Sequence, residues 1–303
     1  MSELTDFQRK ISAFFPEMDI RFEEPLAKHT SFRIGGNAQA MAFPRTGEEL
    51  AALLKGSALL DCDCRILGAG TNVLAPDGGV GGLVICLKDS LAGMERLDER
   101  RIRVMAGVTM ARAAVYASKL GLSGLEFAHG IPGTVGGGVY MNAGAYGGEI
   151  SQVCESVEVM DRTGNCRVIP AADMDFSYRH SRLETEGGIV ISAIFCLTPG
   201  EPEEIQDRMK ELARKRSASQ PLDLPSAGSA FKRPVGGYAA ALIDQAGLKG
   251  YRVGDAAISE KHAGFAVNLG NATAEDVKAL LQQVSDKVFA SSGIRIEPEI
   301  RIW

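Results

Sequence analysis

Three segments of the 303-residue sequence set reactive side chains among small or apolar neighbours. The first is Tyr178-Arg-His-Ser181, just ahead of an apolar run. Its arginine either pairs with a surface carboxylate or aims a fixed positive charge into a site. The second is Ser226-Ala-Gly-Ser229-Ala-Phe-Lys-Arg-Pro234, read as a small-residue loop with one phenylalanine and two cations. Ser229 there is a turn residue, a nucleophile or an acid. No G-x-S-x-G elbow surrounds it and no histidine is paired with it, so acyl chemistry is not supported. The third is Glu297-Pro-Glu299, inside the terminal β-like segment, with a glutamate that is either exposed at an edge or turned into a site.

Glycine-rich loops separate the elements that must carry these residues. The chain has 35 glycines, about 12% against a usual ~7%. They cluster in Gly68-Ala-Gly-Thr-Asn72, in 77–82, and above all in 130–138 (GIPGTVGGG), which runs on into VYMNAGAYGGEI. Bare N–H groups in such loops bind phosphate, so a nucleotide is the expected guest. The common fingerprints are missing. Val73 stands where a G-x-G-x-x-G starting at Gly68 needs its third glycine, and no G-x-x-x-x-G-K-[ST] is present.

Between the loops, local signals predict regular structure. Thr46-Gly-Glu-Glu49 reads as a capping box before a helix with Leu50, Leu53 and Leu54 on one face. Residues 64–67, 153–160 and 189–197 read as strands, and 109–120 as a helix stopped by Gly121. Thr198-Pro-Gly-Glu-Pro202 punctuates the chain. After it come a charged helix with Ile205, Met209 and Leu212 as its apolar stripe, a loop over 220–237, and a short helix over 238–245 ended by Gly247. A helix capped by Thr273-Ala-Glu-Asp276 and a closing strand, IRIEPEIRIW, complete the chain. The expected class is α+β. Residues 1–198, divisible near 80, form one region and 199–303 a smaller domain.

Composition narrows the partners. Lys+Arg total 33 and Asp+Glu 38, a net charge of −5, which excludes the basic footprint of a nonspecific nucleic-acid binder. The longest apolar stretches, such as 189–197, fall far short of the ~20 residues that span a bilayer. Glu3, Asp6, Arg9 and Lys10 leave no apolar signal-peptide core at the start, so the expected location is cytoplasmic. The six cysteines include no C-x-x-C pair and read as reduced, structural residues. The four histidines have no metal-ligand spacing, so no metal site is expected.

Taken together and in order, eight segments resemble the UDP-N-acetylenolpyruvoylglucosamine reductase family nearly end to end. They are HTSFRIGG (29–36), GAGTNVL (68–74), GIPGTVGG (130–137), YMNAGAYGGEI (140–150), YRHS (178–181), GSAFKRP (228–234), the run 242–268 and EPEIRI (297–302). The short length, with no long insertion after GSAFKRP, resembles the type II branch. The resemblance implies a two-part FAD-binding region, similar to the vanillyl-alcohol-oxidase (PCMH) type, and a smaller α+β substrate-binding domain. It implies non-covalent FAD, NADPH as co-substrate, UDP-N-acetylglucosamine enolpyruvate as acceptor, and a role in peptidoglycan precursor synthesis. A monomer is expected, with no nucleic-acid or membrane partner. Asn37 follows RIGG where a histidyl-linked flavin would need a histidine, and Gly138 replaces a usual alanine.

Family chemistry then assigns roles. Hydride from flavin N5 reaches the vinyl carbon and a proton reaches the adjacent carbon, so charge builds on the substrate carboxylate. By resemblance Arg179 and Glu299 stabilise that charge and Ser229 donates the proton. Glu299 is chosen over Glu297 because the family motif sets the acid directly before the apolar residue and arginine. The same resemblance places Arg33, Gly35, Gly36, Gly68, Ala69, Gly70, Thr71, Asn72, Leu74, Gly130, Ile131, Pro132, Gly133, Thr134, Gly136, Gly137, Ile189 and Arg301 at the FAD. The loops RIGG, GAGTN and GIPGTVGG would hold its pyrophosphate and ribityl chain through backbone N–H groups. Tyr146, Tyr178, Lys232 and Arg233 are expected at the substrate.

Overall fold

A computed structural model describes residues 4–303, so Glu3 lies outside the described residues. The chain forms two compact units. Of the described residues, one comprises 4–22, 40–69 and 82–215; the other comprises 23–39, 70–81 and 216–303.

The first unit is built on an antiparallel sheet. Its strand order is Cys166–Pro170, Cys154–Met160, Ile189–Cys196, Arg101–Met105 and Met94–Arg96. Ile189–Cys196 takes the centre because its run is apolar on both faces: residues 189–193 and Phe195 are all buried. The neighbouring strand Arg101–Met105 alternates instead, with Ile102 and Val104 inward and Arg103 outward. The short helix Val135–Tyr140 packs on the central strand. A separate parallel pair sets Cys64–Leu67 beside residues 83–86.

Helix ends follow their local signals, with one difference. Thr46 caps Gly47–Leu59 by accepting from Glu49 N–H, and Leu50, Leu53 and Leu54 are buried. The reciprocal half of that box is absent, because the Glu49 carboxylate turns outward to Arg45, both its N–H at 2.7 Å and its guanidinium at 2.9 Å. Met110–Lys119 starts from Thr109, and Gly121 follows its end at φ +68°. Pro202–Ser219 buries Ile205, Met209 and Leu212.

The second unit holds a four-stranded antiparallel sheet ordered Ser226–Ser229, Phe265–Asn268, Ala256–Ile258 and Arg252–Val253. The helix Ala274–Ser292, with the full capping box of Thr273 and Asp276, buries Val277, Leu280, Leu281, Val284 and Val288. These pack in one core with Phe32, Ile34, Leu74, Ile243, Ile296 and Ile300. Asp77 braces the same helix start: its Oδ1 accepts from Ala274 N–H at 2.8 Å and its Oδ2 from Glu275 N–H at 3.3 Å.

Two predicted elements differ. The expected long terminal strand shrinks to Arg301–Ile302, paired in parallel with Val73–Leu74. Pro298 has no N–H to continue a ladder, and it makes only an isolated bridge with Phe231. Residues 220–237 are not loop throughout, since Ser226–Ser229 is a strand.

Candidate active site

In the first unit, two glycine-rich loops meet. A Cβ built on Gly68 would lie 2.6 Å from Thr134 Oγ1, so GAGTN begins against the turn of GIPGTVGG. That turn is anchored from below: Met110 N–H donates to Gly133 O (3.0 Å), Val135 N–H to Val108 O (2.8 Å) and Gly136 N–H to Ala106 O (2.9 Å). What reads as one long loop therefore becomes a turn and then the helix Val135–Tyr140, capped by the buried Thr134 through Gly137 N–H at 3.4 Å.

The glycines of this helix divide by cause. Gly136 and Gly138 are required by packing, since an added Cβ would meet Ala106 at 2.9 Å and the Met110 sulfur at 2.8 Å. Gly137 is exposed and has only Thr134 Oγ1, at 3.7 Å, within reach of its missing Cβ. An exposed helical glycine costs about 1 kcal/mol relative to alanine. The chain's own packing does not call for it, whereas a flat group laid against that backbone does. On that ground the loop pair fits a flavin nucleotide. Several N–H groups expected to face the pyrophosphate are already committed, Ile131 to Ala128 O (3.0 Å) and Gly136 to Ala106 O among them. They shape the loop. Ile189 is buried at the start of the central strand, while Pro132 is exposed and Gly130 half-buried.

Arg179 stands in the same unit at the tip of a tight turn. Ser177 and His180 exchange both backbone hydrogen bonds at 3.2 Å, and Arg179 adopts φ +56°. Its guanidinium carbon lies 5.6 Å from the centroid of the exposed Tyr178 ring. His180 sits between two carboxylates, with Nδ1 2.8 Å from Glu184 Oε2 and Nε2 3.5 Å from Asp175 Oδ2. Ser181 is fully buried and donates to Tyr140 O at 2.8 Å. Tyr146 is exposed in a left-handed turn at φ +55°.

The second unit collects Ser229, Glu299, Asn72 and the 29–36 loop. Ser229 ends its strand just after a register shift: Ser226 pairs with Val267 but Ser229 with Phe265, and Gly228 between them takes φ +75°. The bulge re-aims the serine, a common device beside active sites. Glu299 N–H donates to Ala230 O at 2.9 Å, and Lys232 N–H to Glu297 O at 2.8 Å, so the serine segment and the glutamate segment run side by side. The Glu299 side chain is half-buried with Oε2 shielded from solvent, while Glu297 is exposed. Asn72 donates to Glu299 O at 3.2 Å and accepts from Arg301 N–H at 3.0 Å, tying GTN to the same strand.

The 29–36 loop closes on this group from one side. Ser31 N–H donates to Gly70 O at 3.1 Å, and Ser31 Oγ to Ser226 O at 2.6 Å. Gly70 takes φ +60° because the chain passes directly behind it; an added Cβ would run into the His29 carbonyl and lie 2.8 Å from Thr30 Cα. Gly36 is similarly enclosed, with an added Cβ 2.6 Å from Gly79 N, and its N–H is taken by Pro76 O at 2.9 Å. Gly35 likewise packs on Ala75. In RIGG, then, both glycines answer to the chain's own packing, Gly36 to backbone and Gly35 to the Ala75 and Leu26 side chains. Arg33 is exposed at φ +55°, Leu74 is buried, and Ala69, Thr71 and Arg301 are half-buried. Lys232 and Arg233 are exposed; Lys232 Nζ lies 3.7 Å from Glu297, and Arg233 lies over the Tyr238 ring at 4.6 Å.

One residue given no role by the sequence reading is buried at the Arg179 turn. Asn142 donates to Ser177 O at 3.1 Å and accepts from Ser151 N–H at 3.0 Å. Its signal in the sequence was an asparagine, amid glycines, directly after the helix end.

Comparison with known proteins gives one consistent result. Residues 38–169 match the family model of an FAD binding domain, and residues 220–303 match that of the UDP-N-acetylenolpyruvoylglucosamine reductase C-terminal domain. A UDP-N-acetylenolpyruvoylglucosamine reductase from Streptococcus pneumoniae (strain JJA) is 43% identical over 295 residues, 97% of this chain and 97% of that protein. The crystal structure of the corresponding reductase from Thermus caldophilus matches with a TM-score of 0.79 at 38% identity, covering 95% of this chain and 99% of that one.

Proposed function

The chain belongs to the UDP-N-acetylenolpyruvoylglucosamine reductase family of FAD-containing oxidoreductases, and from that premise we propose how its own residues divide the work. Residues 1–198 hold FAD and 199–303 take the nucleotide-sugar substrate, the enolpyruvyl ether of UDP-N-acetylglucosamine. NADPH is the electron donor. The loops 68–72 and 130–137 would hold the FAD, which when bound and reduced would supply the hydride for the vinyl carbon of that ether.

Addition at the vinyl carbon makes the substrate carboxylate part of an enediolate. Arg179 holds that growing negative charge with the planar fork of its guanidinium. Glu299, kept half out of water, lies against the same carboxylate and shares a proton with it. Ser229 then gives its hydroxyl proton to the carbon next to the carboxylate, and solvent restores it. A serine is a weak acid, so this step depends on a strongly basic carbon and on fixed geometry.

The observation that carries the reading is the backbone bond from Glu299 to Ala230, which sets the glutamate segment beside the bulged strand end bearing Ser229. Tyr146, Tyr178, Lys232 and Arg233 are exposed and suit the diphosphate and nucleoside of the substrate. The test is Arg179→Ala, followed through each half-reaction. NADPH should still bleach the flavin at the normal rate, while reoxidation by the enolpyruvyl nucleotide should slow by a factor of 100 or more, about 2.7 kcal/mol of lost transition-state stabilisation. An unchanged reoxidation rate removes Arg179 from the site.

A further inference from the structure

We infer that Asn142 is a positioning residue for the reductive chemistry, acting by fixing the strained turn that presents Arg179. The inference rests on the proposed role of Arg179 and on no other part of that proposal.

Asn142 occupies an unusual place in the chain. The helix Val135–Tyr140 ends with Ala143 N–H donating to Gly138 O at 2.7 Å and Asn142 N–H to Val139 O at 3.2 Å. That is the Schellman pattern, whose left-handed residue is most often glycine. Here Asn142 fills it at φ +43°, in a stretch otherwise full of glycine. Asparagine tolerates this conformation better than other side chains, yet glycine adopts it with less strain.

The side chain supplies the reason. It is 2% exposed, and both ends of its amide are used. The amide N–H donates to Ser177 O at 3.1 Å and the amide O accepts from Ser151 N–H at 3.0 Å, which also fixes which end is which. Ser177 O is the carbonyl that receives His180 N–H and so closes the turn over Arg179. Asn142 therefore ties the helix end and the Ser151 segment to the base of that turn. Ser181 adds a second tie, from its buried hydroxyl to Tyr140 O, at the same helix end.

Arg179 itself needs such a clamp. It holds φ +56° with a bulky side chain, a conformation that persists only where surrounding contacts over-determine it. Loss of the Asn142 amide frees the turn to relax, and a guanidinium displaced by about 1 Å loses on the order of 100-fold in rate.

Asn142→Gly is the informative substitution, because glycine keeps the left-handed cap and deletes only the amide. The variant should fold, bind FAD, and be reduced by NADPH at a rate within twofold of the parent. Reoxidation by the enolpyruvyl nucleotide should fall at least tenfold. Asn142→Asp, which keeps the acceptor for Ser151 N–H but turns a carboxylate oxygen toward Ser177 O, should fall at least as far. The decisive readout is the cycle with Arg179→Ala: in that background Asn142→Gly should cost less than a further twofold. A reoxidation rate equal to the parent's in both Asn142 variants overturns the proposal. So does a tenfold loss that persists undiminished without Arg179. Arg179→Ala with normal reoxidation would instead show that the reading of the arginine is wrong, and the positioning role falls with it.

Discussion

Replacing Gly70 by alanine perturbs the point where the 29–36 loop, GTN and the Ser229 strand are joined. The backbone there is left-handed, at φ +60°, which costs a non-glycine residue roughly 1–2 kcal/mol. The added methyl also meets backbone, the His29 carbonyl and Thr30 Cα at 2.8 Å, and real Cβ atoms essentially never approach within 3.0 Å. Backbone cannot swing aside like a side chain, so His29–Thr30 must move, and forced overpacking costs about 1–3 kcal/mol more. The sum is roughly 2–5 kcal/mol. At roughly 2–3 °C per kcal/mol for a long chain, Tm should drop by about 4–15 °C. The displacement passes through the Gly70–Ser31 and Ser31–Ser226 hydrogen bonds, so FAD affinity and reoxidation by substrate should both suffer. Gly78→Ala is the matched control, because that exposed glycine has nothing within 4 Å of an added Cβ and no positive φ; it should change stability by less than about 0.5 kcal/mol. Thermal melts of both apoproteins, with flavin titrations by absorbance, give the comparison. Two variants that melt together and bind FAD equally would refute the reasoning.

Other consequences are more local. Ser229→Ala should leave FAD content and flavin reduction by NADPH intact while product formation stops; stopped-flow traces showing slow reduction and normal reoxidation would contradict its role as proton donor. Glu299→Gln should impair reoxidation at least tenfold more than Glu297→Gln, whose side chain is exposed, and equal effects would show the wrong carboxylate was chosen. Burial pushes the Cys154 thiol from an ordinary 9.0 to about 12, and Cys64 and Cys86 to about 11. The unfolded chain releases these protons first. Their contribution to stability is therefore full below pH 9 and is lost as pH rises toward 11–12. The urea midpoint should be lower at pH 10 than at pH 8, with no loss from these thiols between pH 7 and 8; a midpoint that rises at pH 10 would oppose this.

Much of the scaffold was legible because periodic burial and capping are local. The stripe Ile205, Met209 and Leu212, the Thr273–Asp276 box and the buried run 189–193 all appear where the sequence placed them. Long-range commitments were not legible. Nothing local says that Ser229 ends a bulged strand; Arg45 four residues before Glu49 and the missing N–H of Pro298 were, by contrast, local signals present in the sequence. The glycine loops were visible as loops, but not which glycines yield to the chain's own backbone, as Gly36 and Gly70 do, and which stay open, as Gly137 does. Asn142 was hidden for the same reason: its partner carbonyl lies 35 residues away.

An anaerobic flavin spectrum, taken before and after one equivalent of NADPH and then of UDP-N-acetylglucosamine enolpyruvate, tests the central claim most directly. The expected sequence is an oxidised flavin spectrum, bleaching by NADPH, and full return of the oxidised spectrum on adding the enolpyruvyl nucleotide. Bleaching that the nucleotide cannot reverse would contradict the proposed acceptor.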